Sequence, residues 1–300
     1  MKGTVFGSEG GVYRIRLESG ELLEASLRGR LKMEARTGDR VVIGDRVDVV
    51  TKQDGSTTIE EVARRESKIV RKGPGGRRPK VVAANVDRLV VVAAAARPEP
   101  RQLLLDRLLV IGEANFLALA LVLNKSDLVQ GESPARALAD LYGKIGYQVL
   151  LTSAKSGEGL EELKSLLCSG TSALVGPSGV GKSSLLNAIE PGLELRTGEL
   201  SHKKGMGRHT TVSSRLIPLG CGGLVADTPG FSDVGVWGVE QRELEECFPD
   251  FHPHREECHF RGCTHLHEPN CGVQEALARN EIDEGRFESY RGLVQESADS

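Results

Sequence analysis

The chain has 300 residues, enough for two or three domains. Its formal net charge of −3 excludes a uniform polycation, and an aromatic content of only 4% beside abundant Val, Leu and Ala points to an aliphatic α/β core. No apolar run approaches the ~20 residues that span a bilayer, and the opening Met1-Lys2-Gly3-Thr4-Val5 lacks the apolar stretch of a secretory signal. The expectation is a monomer in the cytoplasm that does not engage membranes.

Residues 1–66 carry short alternating segments at 12–17, 22–27, 40–43, 46–50 and 58–62. Turn signals separate them: Gly10-Gly11, Ser19-Gly20, Gly44-Asp45 and Asp54-Gly55. Short strands at this spacing predict a small β-barrel. Five would suit an OB-fold, a common nucleic-acid-binding barrel, although an SH3-like barrel reads similarly. Arg14, Arg16, Arg28, Arg30 and Lys32 could form one basic face, or a solvated surface broken by glutamates. Residues 67–80 read as a basic linker: the stretch 64–80 holds eight Lys/Arg against one Glu, and its Gly-Pro-Gly-Gly core breaks helix and strand alike. The linker could touch phosphates or act as a tether.

From 81 to 235, strands predicted at 89–96, 116–123, 148–152, 172–175 and 223–226 alternate with helices, among them 101–113 and 182–189. That is the pattern of a parallel sheet covered on both faces. Ligands bind outside the carboxyl ends of such strands, and the polar motifs fall there. Asn124-Lys125-Ser126-Asp127 closes one apolar run. Asp127 can accept two hydrogen bonds from the N1–H and N2–H₂ edge of guanine; adenine has no donors there and would leave the carboxylate unpaired. Asn124 would contact the base or brace the loops, and the Lys125 stem would pack on the base face. Ser153-Ala154-Lys155, after the strand at 148–152, would offer backbone N–H groups to guanine O6.

Gly176-Pro177-Ser178-Gly179-Val180-Gly181-Lys182-Ser183 lies between a predicted strand and a predicted helix, the context required of the phosphate loop G-x-x-x-x-G-K-[S/T]. Its glycines let N–H groups converge on the β-phosphate at a helix N-terminus. Lys182 would reach the β- and γ-phosphates, the Ser183 hydroxyl would ligate Mg²⁺, and Ser184 adjoins it in the first turn. Thr210 or Thr211 would add a Mg²⁺ ligand. In Asp227-Thr228-Pro229-Gly230, Asp227 would hold Mg²⁺ through water and the Gly230 N–H would bond the γ-phosphate. In isolation that tetrapeptide is merely a good turn; downstream of a phosphate loop it reads as a switch motif. In ordinary GTPases the phosphate loop leads and the guanine-reading motif trails. Here the order is reversed, so the set describes a circularly permuted GTPase.

Beyond 236 the strand signal ends, and residues 236–300 read as short helices around a metal loop. Cys258, Cys263, His265 and Cys271 follow C-x4-C-x-H-x5-C, a tetrahedral Cys₃His set for one structural Zn²⁺ with no open catalytic position. His259 and His267 are rivals for the nitrogen position, read as solvated. Structural disulfides are not expected in a cytosolic chain, so Cys168, Cys221 and Cys247 are read as small buried or incidental residues.

Taken in order, N-K-S-D, T-S-A-K, G-P-S-G-V-G-K-S-S-L-L-N, G-R-H-T-T, D-T-P-G-F and the Cys₃His set resemble the RsgA (YjeQ/YloQ) family of bacterial small-subunit-dependent GTPases. The resemblance covers nearly the full length. It implies an N-terminal OB-fold, a permuted α/β P-loop GTPase core and a C-terminal, mainly helical zinc domain. It further implies hydrolysis of GTP to GDP stimulated by the 30S ribosomal subunit during late maturation, with 16S rRNA touched by the flanking domains. Val212 departs from the longer threonine run of many relatives, which leaves the choice between Thr210 and Thr211 open. Where many GTPases follow D-x-x-G with a water-orienting glutamine, this chain has Phe231. His209, just before the threonines, is the candidate for that role, and the resemblance supports it; the alternatives are a solvated loop histidine or an rRNA contact.

Overall fold

The computed structural model describes residues 1–29, 31, 40–71, 80–195, 214–227 and 241–298. It divides into two compact units: Met1–Leu89 with Lys164–Leu174 and Gly198–Val234, and Val90–Leu163 with Val175–Thr197 and Gly235–Ser300. His209, Thr210, Thr211, Gly230 and Phe231 lie outside the described residues.

In the first unit, strands Lys2–Glu9, Val12–Leu17, Leu22–Leu27, Arg46–Thr51 and Thr57–Val62 form a closed circuit. Lys2–Glu9 pairs antiparallel with both Val12–Leu17 and Arg46–Thr51. Val12–Leu17 pairs with Leu22–Leu27, which pairs in parallel with Thr57–Val62; that strand returns antiparallel to Arg46–Thr51. Closure removes the free edges that open sheets expose. Strand alternation builds the core: Tyr13, Ile15 and Leu17 point inward with Val5, Ala25, Leu27, Val47, Val49 and Ile59, while Val12, Arg14 and Arg16 face out. This is the five-stranded barrel expected of an OB-fold.

One of its strands differs from expectation. Residues 40–43 form no strand; Ile43 makes only an isolated bridge to Ala83. Val41, Val42 and Ile43 are buried, which explains the apolar signal, but the Asp45 carboxylate accepts the Val42 N–H at 2.8 Å and turns the chain. The fifth strand is Lys2–Glu9, whose glycines at positions 3 and 7 dilute the alternation that would have marked it. The flanks of the segment read as a linker also pair: Lys68–Arg71 runs antiparallel to Lys80–Ala84.

The same unit holds Thr171–Val175 in parallel with Leu224–Asp227, and Leu224–Asp227 antiparallel to Arg215–Pro218. The turn between the last two strands is fastened to the end of helix Leu160–Leu167 by a Cys168–Cys221 disulfide. The reading of these two cysteines as incidental is therefore corrected. Their separation of 53 residues concealed a local contact, because the Leu224 N–H bonds the Gly170 carbonyl at 2.9 Å and brings the turn to Cys168. Cys247 is a free, buried thiol, pushed up to about 12 by burial.

In the second unit, Ala118–Asn124 and Gln148–Thr152 are parallel with Asn124 opposite Thr152. The near-continuous burial of Ala118–Asn124 matches a strand covered on both faces. Helix Pro134–Ile145 is capped by Ser133, whose hydroxyl accepts the Arg136 N–H, and it ends at Gly146 in the left-handed region. Phe116, read as the start of a strand, instead closes helix Gln102–Ala114 at φ +54° and is 96% exposed. Two backbone bonds drive this: Phe116 N–H to Glu113 carbonyl and Leu117 N–H to Gly112 carbonyl.

The described residues after Asp227 hold no strand; Gln241–Leu244, His252–Arg255, Gly272–Ala278 and Glu284–Ala298 are helical. Phe248, Phe251, Val273, Tyr290 and Leu293 form their core together with Val110 of Gln102–Ala114. A buried ion cluster joins the same elements: Arg286 Nη1 lies 2.6 Å from Asp106 Oδ1 and Nη2 lies 2.5 Å from Asp250 Oδ1. Burial alone would lower the Arg286 pKa, but the two carboxylates raise it, so the guanidinium stays charged. No described helix is long and apolar enough to cross a membrane.

Candidate functional site

Three loops of the second unit, at 124–127, 153–155 and 176–183, are joined by one amide. Asn124 is 1% exposed; its Nδ2 donates to the Val180 carbonyl at 2.8 Å. Its Oδ1 accepts the Ala154 N–H and the Thr152 hydroxyl, each at 3.4 Å. Asn124 thus braces the Asn124–Asp127, Ser153–Lys155 and phosphate-loop segments against one another. Lys125, at φ +64°, donates from Nζ to the Arg97 and Gly179 carbonyls at 2.5 and 2.6 Å. The Ser153 hydroxyl donates to Asp127 Oδ1 at 2.7 Å and accepts the Lys155 and Ser156 N–H groups at 3.2 and 3.1 Å. Asp127 itself is exposed, so its carboxylate faces solvent from a fixed backbone.

The phosphate loop has the backbone that its glycines permit. Gly181 has φ +98°, and a Cβ there would lie 2.4 Å from Asn124 Nδ2; Gly176 has φ +145°, and a Cβ would lie 1.9 Å from the Val92 carbonyl oxygen. No side chain at either position fits. Helix Lys182–Ile189 starts directly after the loop, and its N-cap, Gly181, has no side chain to bond the first turn, the arrangement of an anion-binding helix N-terminus. Lys182 Nζ is held over the loop by the Gly176 and Pro177 carbonyls at 2.6 and 3.0 Å. Ser183 and Ser184 occupy the same first turn and are half-buried, Val180 is buried, and Pro177, Ser178 and Gly179 line the outer part of the loop. In the other unit, Asp227 ends Leu224–Asp227 and takes the Arg215 guanidinium at 3.3 Å.

The cysteine–histidine cluster is also formed. The ligand atoms of Cys258, Cys263, His265 and Cys271 all lie within 4.8 Å of one another, and His259 and His267 are not in the group. Cys258 Sγ is 3.9 Å from Cys271 Sγ; His265 Nδ1 is 3.6 Å from Cys258 Sγ and 3.3 Å from Cys271 Sγ. A tetrahedron with ~2.3 Å metal–sulfur bonds has edges of about 3.8 Å. The donor set therefore has both the chemistry and the spacing to hold one tetrahedral metal ion. The loop carrying it is organised by Glu268, whose carboxylate accepts the Thr264 N–H and hydroxyl at 2.9 and 2.6 Å. Burial would raise its pKa, but these bonds outweigh that and hold it down at about 2.

Comparison with known proteins gives the same arrangement a lineage. The profile of the RsgA GTPase family matches residues 62–237. The small ribosomal subunit biogenesis GTPase RsgA of Gemmatimonas aurantiaca is 47% identical over 98% of this chain and 96% of its own. The chain belongs to the RsgA GTPase family. The protein of that name from Moorella thermoacetica is 40% identical over 99% of this chain and 97% of its own. Among solved structures, YjeQ from Thermotoga maritima superposes with a TM-score of 0.81 at 35% identity, covering 99% of this chain and 98% of that one. YloQ, described as a circularly permuted GTPase, gives 0.75 at 32% identity, covering 99% and 95%. As an RsgA-family member the chain is a GTPase with a permuted P-loop core, preceded by a five-stranded barrel and followed by a Cys/His cluster.

Within this RsgA-family site, sequence reasoning missed the residues that hold others in place. Glu158 accepts the Ser126 hydroxyl at 2.6 Å and so fixes the Asn124–Asp127 turn from the neighbouring loop. The Val180 and Gly179 carbonyls act through backbone, which no side-chain motif announces. Glu158 had one available signal, its place three residues after Ser153-Ala154-Lys155.

Proposed function

We propose that this GTPase acts in maturation of the small ribosomal subunit, stimulated by the 30S particle, with the barrel and the C-terminal helical region touching 16S rRNA. The observation that carries it is the 40–47% identity, over nearly the whole chain, to relatives named small ribosomal subunit biogenesis GTPases. The nucleotide half of the reading rests on the Asn124 amide, which joins the Asn124–Asp127, Ser153–Lys155 and phosphate loops. Preorganisation of this kind is what phosphoryl transfer needs, because positioning and electrostatics supply most of the catalysis.

Asp127 reads the guanine N1–H and N2–H₂ edge. The Ser153–Lys155 loop offers O6 its Ala154 and Lys155 N–H groups, which make long bonds of 3.4 and 3.2 Å to Asn124 Oδ1 and the Ser153 hydroxyl. Gly176 to Ser184 surround the phosphates, with Lys182 moving its ammonium from the loop carbonyls to the β- and γ-phosphate oxygens. Ser183, Asp227 and Thr210 or Thr211 would hold Mg²⁺, which when bound neutralises phosphate charge. The Gly230 N–H bonds the γ-phosphate, and His209 orients the attacking water in place of a glutamine. The relatives' names, which refer to small ribosomal subunit biogenesis, support a cytoplasmic setting, and the proposal takes the chain to act there as a monomer.

The test is co-sedimentation with purified small subunits, alongside GTP turnover measured with and without them. Binding in the presence of a non-hydrolysable GTP analogue, weaker with GDP, and faster turnover on the particle are expected. A rate indifferent to the 30S subunit would overturn the ribosomal reading while leaving the GTPase intact.

The Cys258, Cys263, His265 and Cys271 set holds one structural Zn²⁺ in this proposal. Because such a metal contributes folding free energy directly, Cys263→Ala should release zinc and lower the helical content of residues 241–298. Nucleotide binding should persist, since none of its residues lies there. Metal analysis of protein purified without chelator, together with circular dichroism, checks both parts; absence of zinc from the wild type would refute the assignment.

A further inference from the structure

The metal loop is held by more than its four ligand residues. His265 has φ +60°, a region where a residue with a side chain persists only when its surroundings hold it there. Three sets of contacts do so. Gln274 Nε2 donates to the His265 carbonyl at 3.0 Å. The imidazole stands edge-on to Phe251 with centroids 6.1 Å apart, and beside Tyr290 at 6.2 Å. Finally, His265 Nε2 lies 2.9 Å from Glu245 Oε2.

The two ring nitrogens therefore have different neighbours. Nδ1 faces the sulfurs of Cys258 and Cys271, and Nε2 faces a carboxylate. An ionised carboxylate can only accept, so the shared hydrogen belongs on Nε2 and the Nδ1 lone pair is left pointing into the thiol cluster. A histidine whose distal N–H is bound to a carboxylate is oriented and made more basic as a metal ligand.

We propose that Glu245 is the positioning residue of the metal centre: it selects Nδ1 of His265 as the ligand atom, fixes the ring plane and tightens metal binding. This rests on the reading of Cys258, Cys263, His265 and Cys271 as a metal site. Glu245 comes from the short turn Glu245–Cys247, outside the 258–271 loop, so ligand spacing gives no hint of it. Its neighbour Glu246 is turned elsewhere, pairing with Arg255 and lying 3.7 Å from His252 Nε2. Glu246 is thus an internal control of equal charge and nearly equal position. Through Glu245 the metal loop is tied to the chain that follows the Asp227-Thr228-Pro229-Gly230 motif in sequence.

The experiment measures zinc affinity of the full-length protein by competition with a chromogenic chelator, with circular dichroism at saturating zinc as the check that each variant is folded. Glu245→Ala should weaken zinc by about 10–100-fold, the range for loss of an outer-sphere partner. Glu245→Gln should lose less, because its amide oxygen still accepts from Nε2–H, and Glu246→Ala should bind as the wild type does. In Co²⁺-substituted protein, Glu245→Ala should also shift the visible ligand-field bands as the ring reorients, a change that loss of fold stability alone does not produce. The inference is overturned if Glu245→Ala binds zinc as tightly as the wild type, or if Glu246→Ala loses as much. A wild-type protein that binds no zinc is a different result and overturns the metal site itself.

Discussion

Asp127→Asn should lower GTP affinity by about 10³-fold or more and turn preference toward xanthine nucleotides. The magnitude follows from the penalty that a site built around hydrogen bonds imposes on a ligand or side chain that cannot complete them. Guanine presents two donors to Asp127; an asparagine amide presents its own N–H₂ to one of them and leaves a donor facing a donor. Xanthine carries a carbonyl at C2, which the new amide can bond. The geometry makes the test selective. The Ser153 hydroxyl donates to Asp127 Oδ1 at 2.7 Å, and an asparagine keeps an oxygen for that bond, so the loop should survive the change. Displacement of a fluorescent guanine nucleotide by GTP, XTP and ATP measures it. Wild-type affinity for ATP equal to that for GTP would show that Asp127 does not read the base.

His209→Ala carries the second large effect: near-normal GTP binding with a loss of 30S-stimulated turnover on the order of 10²-fold or more, the scale of losing one positioned transition-state group. Phe231 cannot hydrogen-bond water, so the residue that usually orients the nucleophile is absent after Asp227-Thr228-Pro229-Gly230. Lys182→Ala should behave differently and impair phosphate binding itself, because its ammonium sits directly on the phosphate loop. Single-turnover rates on pre-bound 30S complexes separate the two, since they remove ribosome affinity from the comparison. An unchanged rate for His209→Ala would make it an rRNA contact or a bystander, and a ribosomal group would then have to orient the water.

The backbone of the phosphate loop was the most legible part of the chain, for a physical reason. Phosphate loops need glycine where φ is positive and backbone approaches backbone, and Gly176 and Gly181 stand at such points. The four residues of the Cys/His cluster were equally plain, because ligand chemistry limits residue type and spacing. Supporting contacts were not legible. Glu245 and Glu158 are ordinary glutamates in sequence and acquire their roles only when distant turns meet. The barrel was visible as a count of five, but one member was misplaced: buried Val41 to Ile43 imitated a strand, and glycine-diluted Lys2–Glu9 concealed one. Phe116 shows the complementary failure, a large apolar residue placed in solvent by the backbone bonds that end a helix.

The Cys168–Cys221 bond has a bearing on movement. It fastens the chain just before Thr171–Val175 to the turn just before Leu224–Asp227, two parallel strands whose far ends lead to the phosphate loop and to Asp227. A strand that slips by one residue turns every side chain to the opposite face, and here such slippage would have to break a covalent link. Closing a loop of 53 residues also removes roughly 4 kcal/mol of unfolded-chain entropy in the simplest polymer treatment. The pair of strands is therefore pinned in register at the end away from their motifs, by a bond that thermal motion does not break.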